Sequence, residues 1–178
     1  MKRTYYILLL LCTCFGGLLA QENTPKVRME VIEGPKPWNH LEFNDDPRNF
    51  QFAIVTDRTG GHRPGIFSKG LKKLNLLKPE FVVSIGDLIE GYTEDVDELN
   101  RQWDEFEGFI DLLEAPFFYL PGNHDITNKV MEEVWKERFG PTYYHFIYHD
   151  VLFLCLNTED DARGSGRGTI MQPQLDYI

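Results

Sequence analysis

Pro121-Gly122-Asn123-His124-Asp125 is the stretch on which the reading of this chain turns. The apolar run Pro116-Phe117-Phe118-Tyr119-Leu120 leads into it, and a polar segment of helical character follows. That context puts an amide, an imidazole and a carboxylate on the loop at the end of a buried strand. The amide oxygen can ligate a hard metal ion. The imidazole can donate a proton, and the carboxylate beside it can fix the imidazole tautomer.

Working outward, two more apolar runs end on carboxylates. Phe50 to Thr56 is continuous enough for a strand covered on both faces and stops at Asp57. Phe81-Val82-Val83-Ser84-Ile85 stops at Gly86-Asp87. Between these runs lie helical stripes. Ile66, Leu71, Leu74 and Leu77 form one, ended by Pro79, and Val96, Leu99, Trp103, Phe106, Ile110 and Leu113 form another, with Asp95 and Glu98 placed for a capping box. Met131, Val134, Trp135 and Phe139 make a third, stopped by Gly140-Pro141. Alternating strands and helices define an α/β fold with parallel strands, whose C-terminal ends share one edge. Asp57, Asp87 and Asn123 are spaced by about one βαβ unit each, so they and His124 are expected to converge there. Two carboxylates at one edge repel each other, and bound cations would remove that conflict.

The remaining segments set bounds. Tyr143–Tyr148 and Val151–Leu156 outline a hairpin about His149-Asp150, and Val27–Ile32 could be an edge strand. Gly164-Ser165-Gly166-Arg167-Gly168 reads as a loop, and Gln172–Ile178 as the start of another helix. Residues 1–20 have the basic, apolar and small-residue parts of a secretory signal, so the chain is expected to be exported, periplasmic or secreted, with no membrane span after cleavage. Lipid anchoring at Cys14 is disfavoured by Thr13. Residues 21–49 are assigned to an N-terminal extension or linker and 50–178 to the domain. Outside the signal only Cys155 remains, so no intrachain disulfide forms. The formal charge of −10 becomes more negative once Lys2 and Arg3 leave with the signal, which argues against binding nucleic acid.

The set Asp57, Gly86-Asp87 and Gly122-Asn123-His124-Asp125 resembles the calcineurin-like metallophosphoesterase superfamily, which includes purple acid phosphatases and many phosphodiesterases. The resemblance implies a layered α/β/β/α sandwich and a phosphate mono- or diester substrate. It also implies a dinuclear centre of Mn, Fe or Zn. Asp57 would bind the first metal, Asp87 would bridge both and Asn123 would bind the second. His124 would serve the leaving oxygen, oriented by Asp125.

Departures from the family pattern are equally informative. Its first motif is usually Asp-x-His, whereas this chain has Asp57-Arg58-Thr59. His62 on its Gly60-Gly61 loop could replace the absent ligand. So could Glu90, three after Asp87, where the purple acid phosphatases place a tyrosine. A solvent-facing loop histidine and an exposed acid are the plain alternatives. Arg58 and Arg63 could grip a phosphate, or simply be solvated. The late histidines of the family do not occur after His149. The domain is therefore expected to be partial, with its C-terminal part missing, an incomplete site, an apolar face and an open sheet edge. A non-catalytic binding or scaffold role on the same fold is the competing function.

Overall fold

In a computed structural model of the chain, residues 27–44, 50–160 and 168–178 are described. The secretory signal, both of its cysteines and most of the Gly164–Gly168 loop fall outside them.

Two three-stranded sheets form the framework. β2 (Ala53–Val55), β3 (Val82–Ser84) and β4 (Phe117–Phe118) make a parallel sheet in that order. β1 (Val27–Met29), β5 (Tyr144–Tyr148) and β6 (Val151–Cys155) make an antiparallel one, ordered β1-β5-β6. The β5–β6 turn is His149-Asp150, both at positive φ as a two-residue hairpin turn of matching twist requires. Part of the assigned extension belongs to the fold: β1 pairs with β5, and Trp38 bridges to Phe118.

Alternation along the strands explains the layers. Val82 and Phe117 face one way, into a core closed by α1 (Ile66–Leu77), α2 (Val96–Ile110) and α4 (Lys129–Phe139). Val83 and Phe118 face the other way and meet Tyr144, Phe146 and Tyr148 of the second sheet. Aromatic rings dominate both cores. Phe81 sits edge-on to Phe146 and Phe153, while Phe118 stacks on Phe146 at 4.3 Å between centroids. α2 is capped by Asp95, whose carboxylate accepts from the amides of Asp97 and Glu98. On the outer side of β5, Tyr177 of α5 (Gln172–Tyr177) lies against Tyr143 and His145. The result is an α/β sandwich layered helix, sheet, sheet, with α5 on the far face.

One expectation is corrected. β2 is not covered on both faces. It is the edge of its sheet, with Phe52 44% and Ile54 58% exposed. β6 is the edge of the other sheet, and the Phe52 and Phe153 rings meet at 5.2 Å, so both open edges lie on one side. Leu152 and Leu154 add to this exposed apolar seam.

Candidate metal centre

The loops after β2, β3 and β4 meet at the strand ends. The Asp57 amide donates to the Gly86 carbonyl at 3.3 Å, and the Thr59 amide to the Asp87 carbonyl at 3.3 Å. Thr59 Oγ1 donates to that same carbonyl at 3.1 Å. Between the second and third loops the approach is closer still. A Cβ on Gly86 would overlap the backbone of Gly122, and one on Gly122 would overlap the Asp87 carboxylate. Only glycines fit there.

Asp57 and Asp87 both sit in left-handed backbone, at φ 48° and 57°. Aspartate tolerates this region better than most residues, yet each such residue costs on the order of 1–3 kcal/mol. Asp125 helps to hold the second one. Its carboxylate accepts from the amides of Asp87 and Gly122 through Oδ2, both at 2.8 Å. Through Oδ1 it accepts from Leu88 at 2.9 Å and Ile89 at 3.2 Å. Burial pushes this carboxyl up to about 7; the amides of Gly122, Leu88 and Ile89 pull it down, and the charge of Asp87 adds to the rise.

That arrangement corrects the expected role of Asp125, which bonds backbone amides and not the imidazole. The orienting partner of His124 is the Glu90 carbonyl, 2.8 Å from Nδ1. A carbonyl only accepts, so Nδ1 carries the hydrogen and Nε2 is the free end. The His124 amide donates to Asp87 Oδ1 at 3.2 Å. Gly60, in the first loop, lies across from Nε2, where an added Cβ would stand 3.9 Å away. Asn123 opens the short helix α3 (Asn123–Ile126) and donates from Nδ2 to the Tyr92 hydroxyl at 2.5 Å. Asp57 and Asp87 therefore lie on loops that touch, and Asn123 and His124 open the short helix that packs against the second of them.

His62 and Glu90 are each other's partners, with Nδ1 and Oε1 3.0 Å apart. That hydrogen bond holds the Glu90 carboxyl below its usual range. Arg58 is not available to a phosphate. It is 7% exposed, donates to the Leu88 carbonyl at 3.1 Å, pairs with Glu105 at 2.8 Å and lies over the Phe109 ring. Arg63 is exposed. With Asp57, Thr59, His62, Phe67 and Phe109 it lines a cleft of about 580 Å³ beside the loops.

The donor chemistry suits a hard or borderline cation: two carboxylates, an amide and a neighbouring imidazole-carboxylate pair. Among the described residues no lysine or arginine pairs with Asp57 or Asp87. Among the same residues no three His, Cys, Asp or Glu side chains close on one point as a ready ligand group. Two contributors escaped sequence reading. Thr59 is a loop-to-loop tie, and Tyr92 is a neighbour of both Asn123 and His124; a lone Tyr in a polar loop gives no periodic signal.

A layered α/β sandwich with acid, amide and imidazole gathered on its strand-end loops is a metallophosphoesterase domain. The family model described as calcineurin-like phosphoesterase matches residues 50–171, and the chain belongs to that family. It is also similar to a protein of Arcobacter nitrofigilis named probable glycerophosphodiester phosphodiesterase GpdQ, at 23% identity over 105 residues. That match covers 57% of this chain and 36% of the relative, so the chain spans about a third of the length of the curated relative it matches. No solved structure matches. Phosphate esters are the substrate class that the family implies.

Proposed function

We propose that this domain hydrolyses a phosphate ester with two metal ions, Mn, Fe or Zn, held at the three strand-end loops. The observation that supports this most is that the loop after β3, carrying Asp87, touches both the loop of Asp57 and the start of α3 with Asn123 and His124. Asp57 would hold the first ion, Asp87 would serve both and Asn123 Oδ1 would serve the second. His62 or Glu90 would complete the first site, in place of the histidine that the family has where this chain has Thr59. When bound, such cations neutralise phosphoryl oxygens and lower the pKa of a water.

The chain's own groups supply the rest. Arg63, at the cleft, grips a non-bridging phosphate oxygen. His124, held by its Nδ1–H on the Glu90 carbonyl, presents Nε2 to the leaving oxygen and, as imidazolium, donates its proton there. Asp125 acts at one remove by fixing the backbone under Asp87. The name of the Arcobacter relative favours a diester with a small polar alcohol arm. Export through the leader would place this chemistry outside the cytoplasm.

A second reading, a non-catalytic scaffold, draws on Thr59 and on the His62–Glu90 pair, which leave the first site short of free ligands. Elemental analysis after Mn loading, together with hydrolysis of bis(p-nitrophenyl) phosphate, separates the two. The phosphoesterase reading expects bound metal and turnover that is lost in Asn123→Ala. A chain that holds no metal and shows no Mn-dependent turnover is the scaffold.

A further inference from the structure

Tyr92 stands five residues after Asp87, more than half exposed, in a polar loop that the functional reading leaves unused. Its φ is 50°, in left-handed backbone where a bulky side chain is an outlier that its surroundings must hold. Those surroundings are visible. Gly91 passes so close to the His124 carbonyl that a Cβ would overlap its oxygen. The Thr93 carbonyl accepts from Asn128 Nδ2 at 3.2 Å, which ties the loop to the N-cap of α4. From this pinned position the phenol oxygen accepts from Asn123 Nδ2 at 2.5 Å. The same ring meets the His124 imidazole edge-on, with centroids 4.7 Å apart and planes at 75°. One side chain thus touches both residues of the Asn-His pair.

We infer that Tyr92 is a positioning residue of this centre: it holds Asn123 by its Nδ2 so that Oδ1 is the end offered to a cation, and it fixes the plane of the His124 ring. The inference rests on the functional reading above. The chemistry requires such a device. A side-chain amide has one ligating atom and one donor nitrogen of nearly the same shape, and only the oxygen serves a hard cation. With the hydroxyl accepting on the nitrogen side, as it does here, Oδ1 is the end left for the ion. Partners of this kind, one bond removed from a ligand, typically govern affinity as well as geometry.

Tyr92→Phe removes the oxygen and keeps the ring against His124. Two measurements on the full chain test it: Mn titration by calorimetry, and the side-chain NH2 resonances of Asn123 in metal-free protein. The expected result is roughly 10–100-fold weaker binding at one of two sites. The other site and the urea midpoint of the metal-free chain stay as in the wild type, and the Asn123 signals shift. Equal Mn affinity in the two proteins overturns the inference and leaves the functional reading standing. A lowered urea midpoint with both sites weakened overturns it in favour of a general structural role. If the wild-type chain binds no Mn, the functional reading fails. The inference then fails with it if the Asn123 signals coincide, and survives as an amide-orienting contact if they differ.

Discussion

Asp125→Asn tests what the most buried acid of the site is for. The side chain keeps its shape but loses an acceptor. Each carboxylate oxygen accepts from two backbone amides, Oδ2 from Asp87 and Gly122 and Oδ1 from Leu88 and Ile89. Whichever way the new amide turns, its NH2 therefore faces two N–H groups. Two charge-assisted bonds of about 1.5–3 kcal/mol each disappear, and two buried donors lose their acceptor. The variant recovers part of this because it no longer buries a charge. Because burial already works against the charged form, the net loss is held to roughly 2–3 kcal/mol, against the ~5–15 kcal/mol that holds a domain of this size together. At about 2–4 °C per kcal/mol the melting temperature falls by roughly 4–12 °C. Urea denaturation of the metal-free chain at pH 8, where the wild-type carboxyl is ionised, measures it directly. A variant within about 1 kcal/mol of wild type would refute the reasoning. If Asp125 instead oriented the imidazole, stability would hold and only the His124 ring resonances would move.

Gly91→Ala is expected to be destabilising by about 2–5 kcal/mol, from the left-handed backbone penalty plus a methyl driven into the His124 carbonyl and to 2.7 Å from Met131 Cε. A denaturation curve superimposable on wild type would show that the two loops are less tightly apposed than described. A carboxyl that titrates near 7 in the folded metal-free chain and near ~3.9 when unfolded gives the folded state the extra proton in between. Stability should accordingly decline as pH rises from about 4 to about 7 and level off above. Carboxyl NMR of Asp125 checks the midpoint, and a side chain already ionised at pH 5 would rule this contribution out.

Periodicity made much of the fold legible. The helical stripes from Val96 to Leu113 and from Met131 to Phe139 became α2 and α4, and the hairpin fell at His149-Asp150. β2 misled because a continuous apolar run looks alike in a central strand and in an edge strand whose outer residues meet solvent. At the site, the motif indicated which loops would meet, but not how they are held. Arg58 looked like a phosphate grip because its partners, Glu105 and Phe109, arrive from a helix far along the chain. Asp125 looked like the partner of its sequence neighbour, whereas three of its four amide donors come from the loop after β3. Sequence adjacency is a poor guide where the partner is main chain, because every residue but proline carries the same N–H.

The glycine-to-glycine apposition at Gly86 and Gly122 has an evolutionary consequence. Residues 87 and 123 each directly follow one of these two glycines, whose backbones leave no room for a side chain between them. A side chain at either glycine would push the two residues apart. Surrounding loops are then at liberty to diversify what is recognised while the inner spacing stays constant.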